Sequence, residues 1–296
     1  MTTRIEIQIT AADHKRRLDD FLFNRFGGLS KMYLREVVKN GSCEVNGRDE
    51  NVGYRVRTND FVEIEVDQSR ETAMLPQDIP IEIIYEDEDL VVVNKPPGLL
   101  VHPTNRDKSG TLLNALAYHL NNRSGGGGSS TPAIRPGLVH RLDKQTSGLM
   151  VIAKNVRTHR KLAKRFQHKQ VIKRYTALVD GIVEADDGTI DSPIGRFAEH
   201  KHWGIKEGGK EAVTRFWVKK RNSGQTVLEL EPVTGRTNQL RIHCAYVGHP
   251  IIGDVQRGGS EFARLCLHAH RLSFRHPNSN EQMDFTSAVN FDAAAE

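Results

Sequence analysis

The chain has 296 residues, and 42 Lys or Arg against 37 Asp or Glu give it a formal net charge of +5. This length allows one or two domains with a full hydrophobic core. No apolar run reaches the ~18 residues of a spanning helix, the start lacks the pattern of a signal peptide, and the three scattered cysteines form no CxxC pair. We therefore expect a cytoplasmic protein that does not enter membranes.

The first 67 residues predict a small helix-helix-strand domain. Apolar side chains recur at helical spacing in residues 15–26 and 31–38, and they alternate at strand spacing in residues 62–66. Three basic residues share one face of the second helix: Lys31, Arg35 and Lys39. This face suits phosphate binding and an ordinary solvated surface equally well. Residues 68–80 lack periodicity and predict a linker.

Residues 81–296 predict a second domain of short strands and a few helices. The buried strand LVVVNK runs into a Pro-Pro-Gly turn, and GTLLNALAYHLNN predicts a helix. The segment 121–133 contains RSGGGGSSTP, which is typical of a flexible loop. Its glycines lack the Gly-Lys-Ser/Thr ending of a phosphate-binding loop, so a nucleotide site of that kind is excluded.

A strongly basic helix is predicted within residues 154–174. This segment contains nine Lys or Arg and no acidic residue. Charge runs usually form a solvated face, but so many charges of one sign favour a nucleic-acid partner. The candidates for phosphate contacts on this helix are Arg160, Lys161, Lys164 and Arg165.

Asp143 is the only acidic residue between Gly137 and Thr176. It follows the strand-like GLVHRL and precedes a loop that leads into the apolar strand GLMVIAK. A carboxylate on a loop between core strands is held firmly and yet is accessible, and neighbouring cations would keep it ionised as a base or nucleophile. A structural Asp that binds loop amides is the alternative.

Two further clusters carry polar side chains on predicted strands. In PVTGRTNQLRIH, Gln239, Arg241 and His243 alternate with apolar residues, which predicts one polar strand face with an Arg that can grip a carboxylate. In RLCLHAHRLSF, His268 and His270 share a face but have no evident third ligand. We therefore predict structural histidines and no metal site.

These motifs resemble those of the RluA-type pseudouridine synthases, which isomerise uridine in RNA. HRLDKQTSGL resembles the family signature, and the match continues in order across residues 81–276 through VVVNKPPGLLVHP, KRYTALVDG, PIGR, GKEAVT, GRTNQLRIHCAYVGHPIIGD and LCLHAHRLSF. Residues 15–66 separately resemble the α-L RNA-binding domain of a small-subunit ribosomal protein. The resemblance implies an α+β fold with a large, mostly antiparallel mixed sheet, flanking helices and a central cleft.

The resemblance also implies roles for individual residues. Asp143 would be the catalytic carboxylate, Arg241 the arginine that pairs with it, and Tyr175 the tyrosine that stacks on the uracil. Leu267 would line the base pocket, and Arg141 would contact the RNA or fill the stack that the flipped base vacates. The isomerisation gains and loses no atoms, so we expect no cofactor and no metal.

Two positions depart from the family pattern. Asn238 stands where the family usually has His, and Val255-Gln256-Arg257 stands where it usually has an aromatic residue shortly after Gly-Asp. Neither departure touches the carboxylate, so both bear on local packing or substrate fit.

The predicted function is that of a monomeric, cofactor-free RNA pseudouridine synthase, with large-subunit ribosomal RNA as the favoured substrate and transfer RNA as the alternative. Asp143 either attacks C1′ or removes a ribose proton, and the base at C5 is either Tyr175 or Asp143. A non-catalytic RNA-binding protein would be expected to have lost these residues. A nucleoside hydrolase would leave the basic helix without a role, and a conventional glycosidase needs a second carboxylate.

Overall fold

The structure is a computed structural model that describes residues 2–26, 29–67, 75–104, 107, 109–122, 134–197, 202–289 and 291. The described chain separates into two compact units, one ending at Leu75 and the other beginning at Pro76. Residues 123–133 of the predicted loop and residues 68–74 of the predicted linker lie outside the described residues. No helix in the described ranges is both long and apolar enough to cross a membrane.

The described residues of the N-terminal unit form two α-helices and a four-stranded antiparallel sheet. Its elements are β1 (Thr3–Gln8), α1 (Leu18–Arg25), α2 (Lys31–Lys39), β2 (Cys43–Val45), β3 (Arg48–Asp49) and β4 (Phe61–Val66). The sheet order is β1-β4-β2-β3. The two predicted helices and the strand at 62–66 are confirmed, and the side chain of Ser30 accepts the N–H of Tyr33 at 3.2 Å to cap α2. The strand β1 was not predicted.

The described residues of the second unit form three α-helices, a ten-stranded sheet and a two-stranded ribbon. The helices are α3 (Leu112–Asn122), α4 (Val156–Gln167) and α5 (Gln239–Tyr246). The strands are β5 (Glu82–Glu86), β6 (Leu90–Lys95), β7 (Gly137–Leu138), β8 (Ser147–Ala153), β9 (Ile172–Asp180), β10 (Asp187–Asp191), β11 (Ile194–Phe197), β12 (His202–Ile205), β13 (Val213–Asn222), β14 (Gln225–Pro232), β15 (Leu267–Arg275) and β16 (Gln282–Thr286).

The main path of the large sheet has the order β10-β13-β14-β9-β15-β8-β6-β5, with β16 beside β15 and β7 beside β8. Among these described strands, β8 and β15 form the parallel pair and the other neighbours are antiparallel. The predicted α+β fold with a large, mostly antiparallel mixed sheet is therefore confirmed.

The central strand β8 is buried along its whole length. Met150 and Ile152 belong to one apolar cluster, and Leu149 and Val151 belong to another. Because successive side chains of a strand point to opposite faces, these clusters lie on the two sides of the sheet. The loop that enters β8, which carries Asp143, is thereby anchored to a strand that is buried on both faces.

Residues 76–80 belong to the second unit rather than to a free linker. The backbone N–H of Gln77 donates to the carbonyl of Asn114 at 3.1 Å, and its side chain accepts the N–H of Gly110 at 2.6 Å. These bonds tie the segment to the start of α3. The linker prediction for 68–80 therefore extended too far in the C-terminal direction.

The polar strand face predicted at residues 239–243 was wrong, because this segment is the helix α5. One helical turn separates Gln239 from His243, and both side chains reach the hydroxyl of Thr214, at 3.0 and 2.9 Å. Arg241 projects from a different face of the helix. An alternation of polar and apolar residues over only five positions is compatible with a strand and with a helix. In the helix, Gln239 and His243 lie on one face, so both can form hydrogen bonds with the buried Thr214.

Gly148 gives a test of the parallel contact at the centre of the sheet. It has φ +117°, and a Cβ at this position would lie 2.5 Å from the backbone N and O of Ala269 on β15. Gly148→Ala should lower the free energy of unfolding by about 3 kcal/mol or more, because backbone strain and overpacking add. Gly224→Ala, at φ +77° with open space around it, should cost only about 1 kcal/mol. Equal midpoints in urea unfolding would contradict this assignment.

Candidate active site

A cleft of about 650 Å³ in the second unit brings together all five residues to which the sequence assigned a substrate role. They come from the loop before β8, from β9, from α5 and from the start of β15: Arg141, Asp143, Tyr175, Arg241 and Leu267. Since β8, β15 and β9 are neighbours in the sheet, three of these elements meet at the sheet centre. Positions that are 126 residues apart in the chain, 141 and 267, thus face one cavity.

The cleft lining is strongly cationic. Of the described residues that line it, two are acidic, Asp143 and Glu231, and six are Lys or Arg: Arg141, Lys169, Lys173, Arg215, Arg236 and Arg241. Sequence reasoning counted Lys169 and Lys173 only as part of a basic tract and did not single out Arg215 or Arg236. No local pattern marks the two arginines, because their approach depends on the pairing of β13 with β14 and on the turn before α5.

Asp143 is half-buried on its loop, and its backbone carbonyl accepts the N–H of Thr146 at 3.1 Å. Its carboxylate forms no ion pair within 4.0 Å among the described residues. Burial raises the pKa of Asp143, although Arg241, Arg141 and Arg257 act in the opposite direction. Desolvation therefore outweighs the nearby cations in the net shift, while the cations act in the predicted direction by favouring the ionised form.

Arg241 is held by a different carboxylate from the one that the resemblance implied. Its Nε and Nη2 donate to the two oxygens of Asp254 at 2.6 and 2.7 Å, and Asp254 is only 1% exposed. Arg241 remains the strongest of the cationic influences that lower the pKa of Asp143. The arginine is thus oriented by Asp254 and acts on Asp143 over a longer distance.

The departure at Asn238 has a structural explanation. Asn238 precedes α5 in a left-handed conformation, with φ 54° and ψ 22°, which Asn adopts more readily than most residues. Its side-chain oxygen also accepts a hydrogen bond from Nη1 of Arg241 at 3.3 Å. Asn238 therefore forms the turn and adds a third contact to the arginine.

The apolar part of the cleft includes Tyr175 and Leu267, which are 8% and 3% exposed. Burial, together with the charge of Asp143, raises the pKa of the Tyr175 hydroxyl. The phenol therefore stays protonated at physiological pH. Arg141, by contrast, is exposed.

His140, a cleft residue that the sequence did not mark, is neutral and structural. Its ring stacks on Phe166 with centroids 4.6 Å apart, and its Nε2 accepts the N–H of Val151 at 3.1 Å. Burial lowers the pKa of His140 to about 3. It therefore adds no positive charge next to Arg141. The strand predicted for GLVHRL is limited to Gly137–Leu138.

Lys95 stabilises the loop that carries Asp143 through hydrogen bonds to backbone carbonyls. Its side chain is fully buried, and the ammonium donates to the carbonyls of Pro96, Leu99 and Lys144 at 2.8, 2.9 and 3.1 Å. Burial lowers the pKa of Lys95 to about 8. All three N–H donors of the ammonium are used, so the Pro-Pro-Gly turn and the Asp143 loop are fastened together.

The basic residues predicted to bind RNA fall into two groups. Arg160 and Lys164 are exposed on α4. Lys161 donates to the carbonyl of Pro277 at 2.8 Å and to Asn278 at 2.7 Å, and Arg165 donates to Asn280 at 3.2 Å. Lys161 and Arg165 thus help to hold the turn between β15 and β16.

A similar division exists on α2. Arg35 forms an ion pair with the fully buried Asp19 at 2.6 Å, and Lys31 pairs with Asp20. Lys39 is exposed. The face thus serves packing against α1 at two of its three positions.

The two histidines of β15 have hydrogen-bonding partners of their own. His268 Nδ1 lies 2.8 Å from the hydroxyl of Ser147, and His270 Nε2 lies 3.3 Å from Glu229. Within the described residues, no group of three His, Cys, Asp or Glu is arranged to hold a metal ion.

Burial of Asp143 makes a prediction about stability. Because its pKa is raised in the folded chain, the ionised carboxylate opposes folding above that pKa, and the penalty vanishes below the unfolded value of about 3.9. Asp143→Asn should therefore raise the midpoint of thermal unfolding at pH 7 by roughly 1–3 °C. This gain should shrink as the pH falls toward 4. Asp187→Asn, at an exposed position, should show no such trend, and a lower midpoint for Asp143→Asn at pH 7 would contradict the prediction.

Comparison with known proteins identifies the family. Residues 89–246 match the model of the RNA pseudouridylate synthase family. An Aquifex aeolicus protein described as an uncharacterized RNA pseudouridine synthase is 41% identical, and the alignment covers 94% of this chain and 92% of that protein. The ribosomal large subunit pseudouridine synthase D of Pasteurella multocida is 35% identical, with coverage of 99% and 93%.

A solved structure supports the same conclusion. The human RNA pseudouridylate synthase domain containing 1 superimposes with a TM-score of 0.58 at 27% identity, covering 72% of this chain and 85% of that one. The family match spans the loop of Asp143, the strand of Tyr175 and the helix of Arg241. The chain therefore belongs to the RNA pseudouridylate synthase family, as the RluA-type resemblance implied, and it is an RNA pseudouridine synthase.

Proposed function

We propose that this enzyme isomerises uridines of large-subunit ribosomal RNA, without a cofactor, and that Asp143 is its catalytic carboxylate. The observation that carries the proposal is the cleft itself, in which Asp143 lies without an ion-pair partner among the described residues while six cations line the walls. A polyanionic substrate suits those walls. The relative from Pasteurella multocida, named for the ribosomal large subunit, favours ribosomal over transfer RNA.

The other carboxylate of the cleft, that of Glu231, is engaged in an ion pair. Glu231 forms an ion pair with Arg174 at 3.1 Å. Hydrolysis of a glycosidic bond by two cooperating carboxylates needs both groups free beside the sugar. The arrangement therefore supports chemistry with one carboxylate, as expected for breaking the C1′–N1 bond and rejoining the same base through C5.

The remaining cleft residues suit binding of an extruded base. A uracil inside a stacked helix cannot turn over in place, so the nucleotide must leave the stack. Tyr175 and Leu267 offer an apolar pocket for it, and stacking on an aromatic ring is worth ~1–3 kcal/mol per base in comparable sites. Because burial raises the pKa of Tyr175, its neutral phenol is a poor base, and we assign the base at C5 to Asp143.

Arg241 stabilises the ionised form of Asp143 in this proposal. Asp254 fixes the orientation of its guanidinium with two hydrogen bonds. An arginine held in advance needs no reorganisation when charge develops at the sugar. Arg141, which is exposed at the cleft, is assigned to contact with the RNA around the extruded nucleotide.

We assign the N-terminal unit to RNA binding as an α-L domain, and we expect the enzyme to act as a monomer in the cytoplasm. Two helices followed by the short strand β2 agree with that assignment. Lys39 is its exposed basic candidate, whereas Lys31 and Arg35 contribute through their ion pairs with α1. The unit would add RNA contacts of its own on a large folded substrate.

Tritium release from RNA labelled at uracil C5 tests the proposed reaction. The wild-type enzyme should release tritium from a large-subunit ribosomal RNA transcript, and Asp143→Asn should reduce the rate by about 10³-fold or more. Asp187→Asn serves as a control for the loss of an exposed carboxylate. Release by Asp143→Asn at the wild-type rate would identify another residue as the catalytic group. Release from transfer RNA transcripts alone would reverse the choice of substrate.

The basic face of α4 offers a second test. Arg160→Gln with Lys164→Gln should weaken RNA binding and reduce the slope of log affinity against log salt by about 2, one for each phosphate contact. Lys161→Gln is the matched control on the same helix, because that ammonium bonds to Pro277 and Asn278. It should lower thermal stability and leave the salt slope nearly unchanged. An unchanged slope for the double variant would exclude this face from RNA contact.

A further inference from the structure

A second arginine lies against the carboxylate that holds Arg241. Arg257 ends a short 3-10 turn, Val255–Arg257, which directly follows Asp254. Its Nε lies 3.8 Å from Oδ2 of Asp254, and its Nη1 donates to the carbonyl of Trp203 on β12 at 3.3 Å. The side chain is only 18% exposed. A buried cation at this place calls for a physical explanation, because burial of a charge is costly.

The explanation lies in the charge balance around Asp143. Asp254 accepts two hydrogen bonds from Arg241, and such a pair has little net charge when seen from a distance. If the Arg241–Asp254 pair were the only other charged group there, the negative charge of Asp143 would be left without a compensating positive charge in a half-buried site. Arg257 adds the missing cation, so that two arginines stand against two carboxylates.

The contacts of Arg257 indicate that it acts on the two carboxylates through its positive charge and not through hydrogen bonds to them. Its Nε is buried and has no hydrogen-bond partner among the described residues. Burial lowers the pKa of Arg257, as does Arg241, whereas Asp254 and Asp143 raise it. The guanidinium is therefore held beside Asp254 by electrostatic attraction, and the carbonyl of Trp203 fixes its position. Its charge and that of Asp143 also attract each other.

We propose that Arg257 is a positioning residue of the isomerisation, offsetting the charge of Asp254 so that Arg241 can stabilise ionised Asp143. The proposal rests on the assignment of Asp143 as the catalytic carboxylate. Arg257 is not among the described residues that line the cleft, so it acts through its neighbours and does not touch the uridine.

The other ionisable groups that face Asp143 do not replace Arg257. Arg141 is exposed, so water screens its charge. Lys95 has its ammonium surrounded by three carbonyls, and Tyr175 remains a neutral phenol. Arg241 lowers the pKa of Asp143 more than any other cation does, but its charge is partly offset by its ion pair with Asp254.

The test is the pH dependence of tritium release by Arg257→Gln. Removing the cation should move the acid limb of kcat to higher pH by about half a unit to one unit, because Asp143 then takes a proton more readily. The rate should fall about three- to tenfold within the acid limb and less than twofold on the plateau. Arg257→Lys, which keeps the charge, should retain a limb close to that of wild type. Lys220→Gln, at an exposed position on β13, is the control for losing one surface charge.

A double variant keeps the test decisive if Arg257→Gln alone is unstable. Asp254→Asn combined with Arg257→Gln removes one charge of each sign and should return the acid limb toward the wild-type position. An acid limb that stays in place in Arg257→Gln, or a loss of RNA affinity with no change in the limb, would overturn the proposal. Asp143→Asn, measured alongside, separates the two claims. If Asp143→Asn is inactive and the limb of Arg257→Gln is unmoved, only the role of Arg257 is refuted. Full activity of Asp143→Asn refutes the assignment of Asp143 as the catalytic carboxylate, on which the role of Arg257 rests.

Discussion

The burial of β8 on both faces is the constraint on which the catalytic unit depends. Alternate residues of this strand enter two separate apolar clusters, and Gly148 lies against the backbone of β15 in the parallel pairing. A strand packed in this way can slip neither along nor out of the sheet. The loop that precedes it therefore presents Asp143 from a fixed frame, and Tyr175 and Leu267 follow from the neighbouring strands.

The charged groups of the site fall into two sets, those that act directly on Asp143 and those that contact Arg241. Near Asp143, burial opposes ionisation while Arg241 favours it. Asp254 fixes the orientation of Arg241 but also offsets its charge, and Nε of Arg257 lies 3.8 Å from the same Asp254 oxygen that accepts from Nε of Arg241. An acid that is desolvated and electrostatically supported at once can act as an anion in contact with a polyanionic substrate. A bare carboxylate on the surface would repel the RNA backbone instead.

The basic side chains of α4 and α2 fall into two groups, those that bond to other parts of the protein and those that are exposed. On α4 and α2 some basic side chains are committed to carbonyls or to buried carboxylates, as Lys161 and Arg35 are, while Arg160 and Lys39 remain exposed. Long basic side chains pack their stems against the protein and can satisfy acceptors with their ends. Counting charges along a helix therefore overestimates the surface available for phosphates.

The sequence by itself determined the family, the fold class and five of the residues that line the cleft, because ordered motifs carry that information without coordinates. Long apolar runs such as LVVVNK and GLMVIAK also determined the central strands. Only the tertiary structure decided that residues 239–246 form a helix, that Asp254 rather than Asp143 is the direct partner of Arg241, and that burial raises the pKa of Asp143. A five-residue alternation fits two periodicities, and an ion pair depends on which side chains the fold brings within reach. Desolvation is a property of the whole surroundings, so no local pattern of residues could have revealed it.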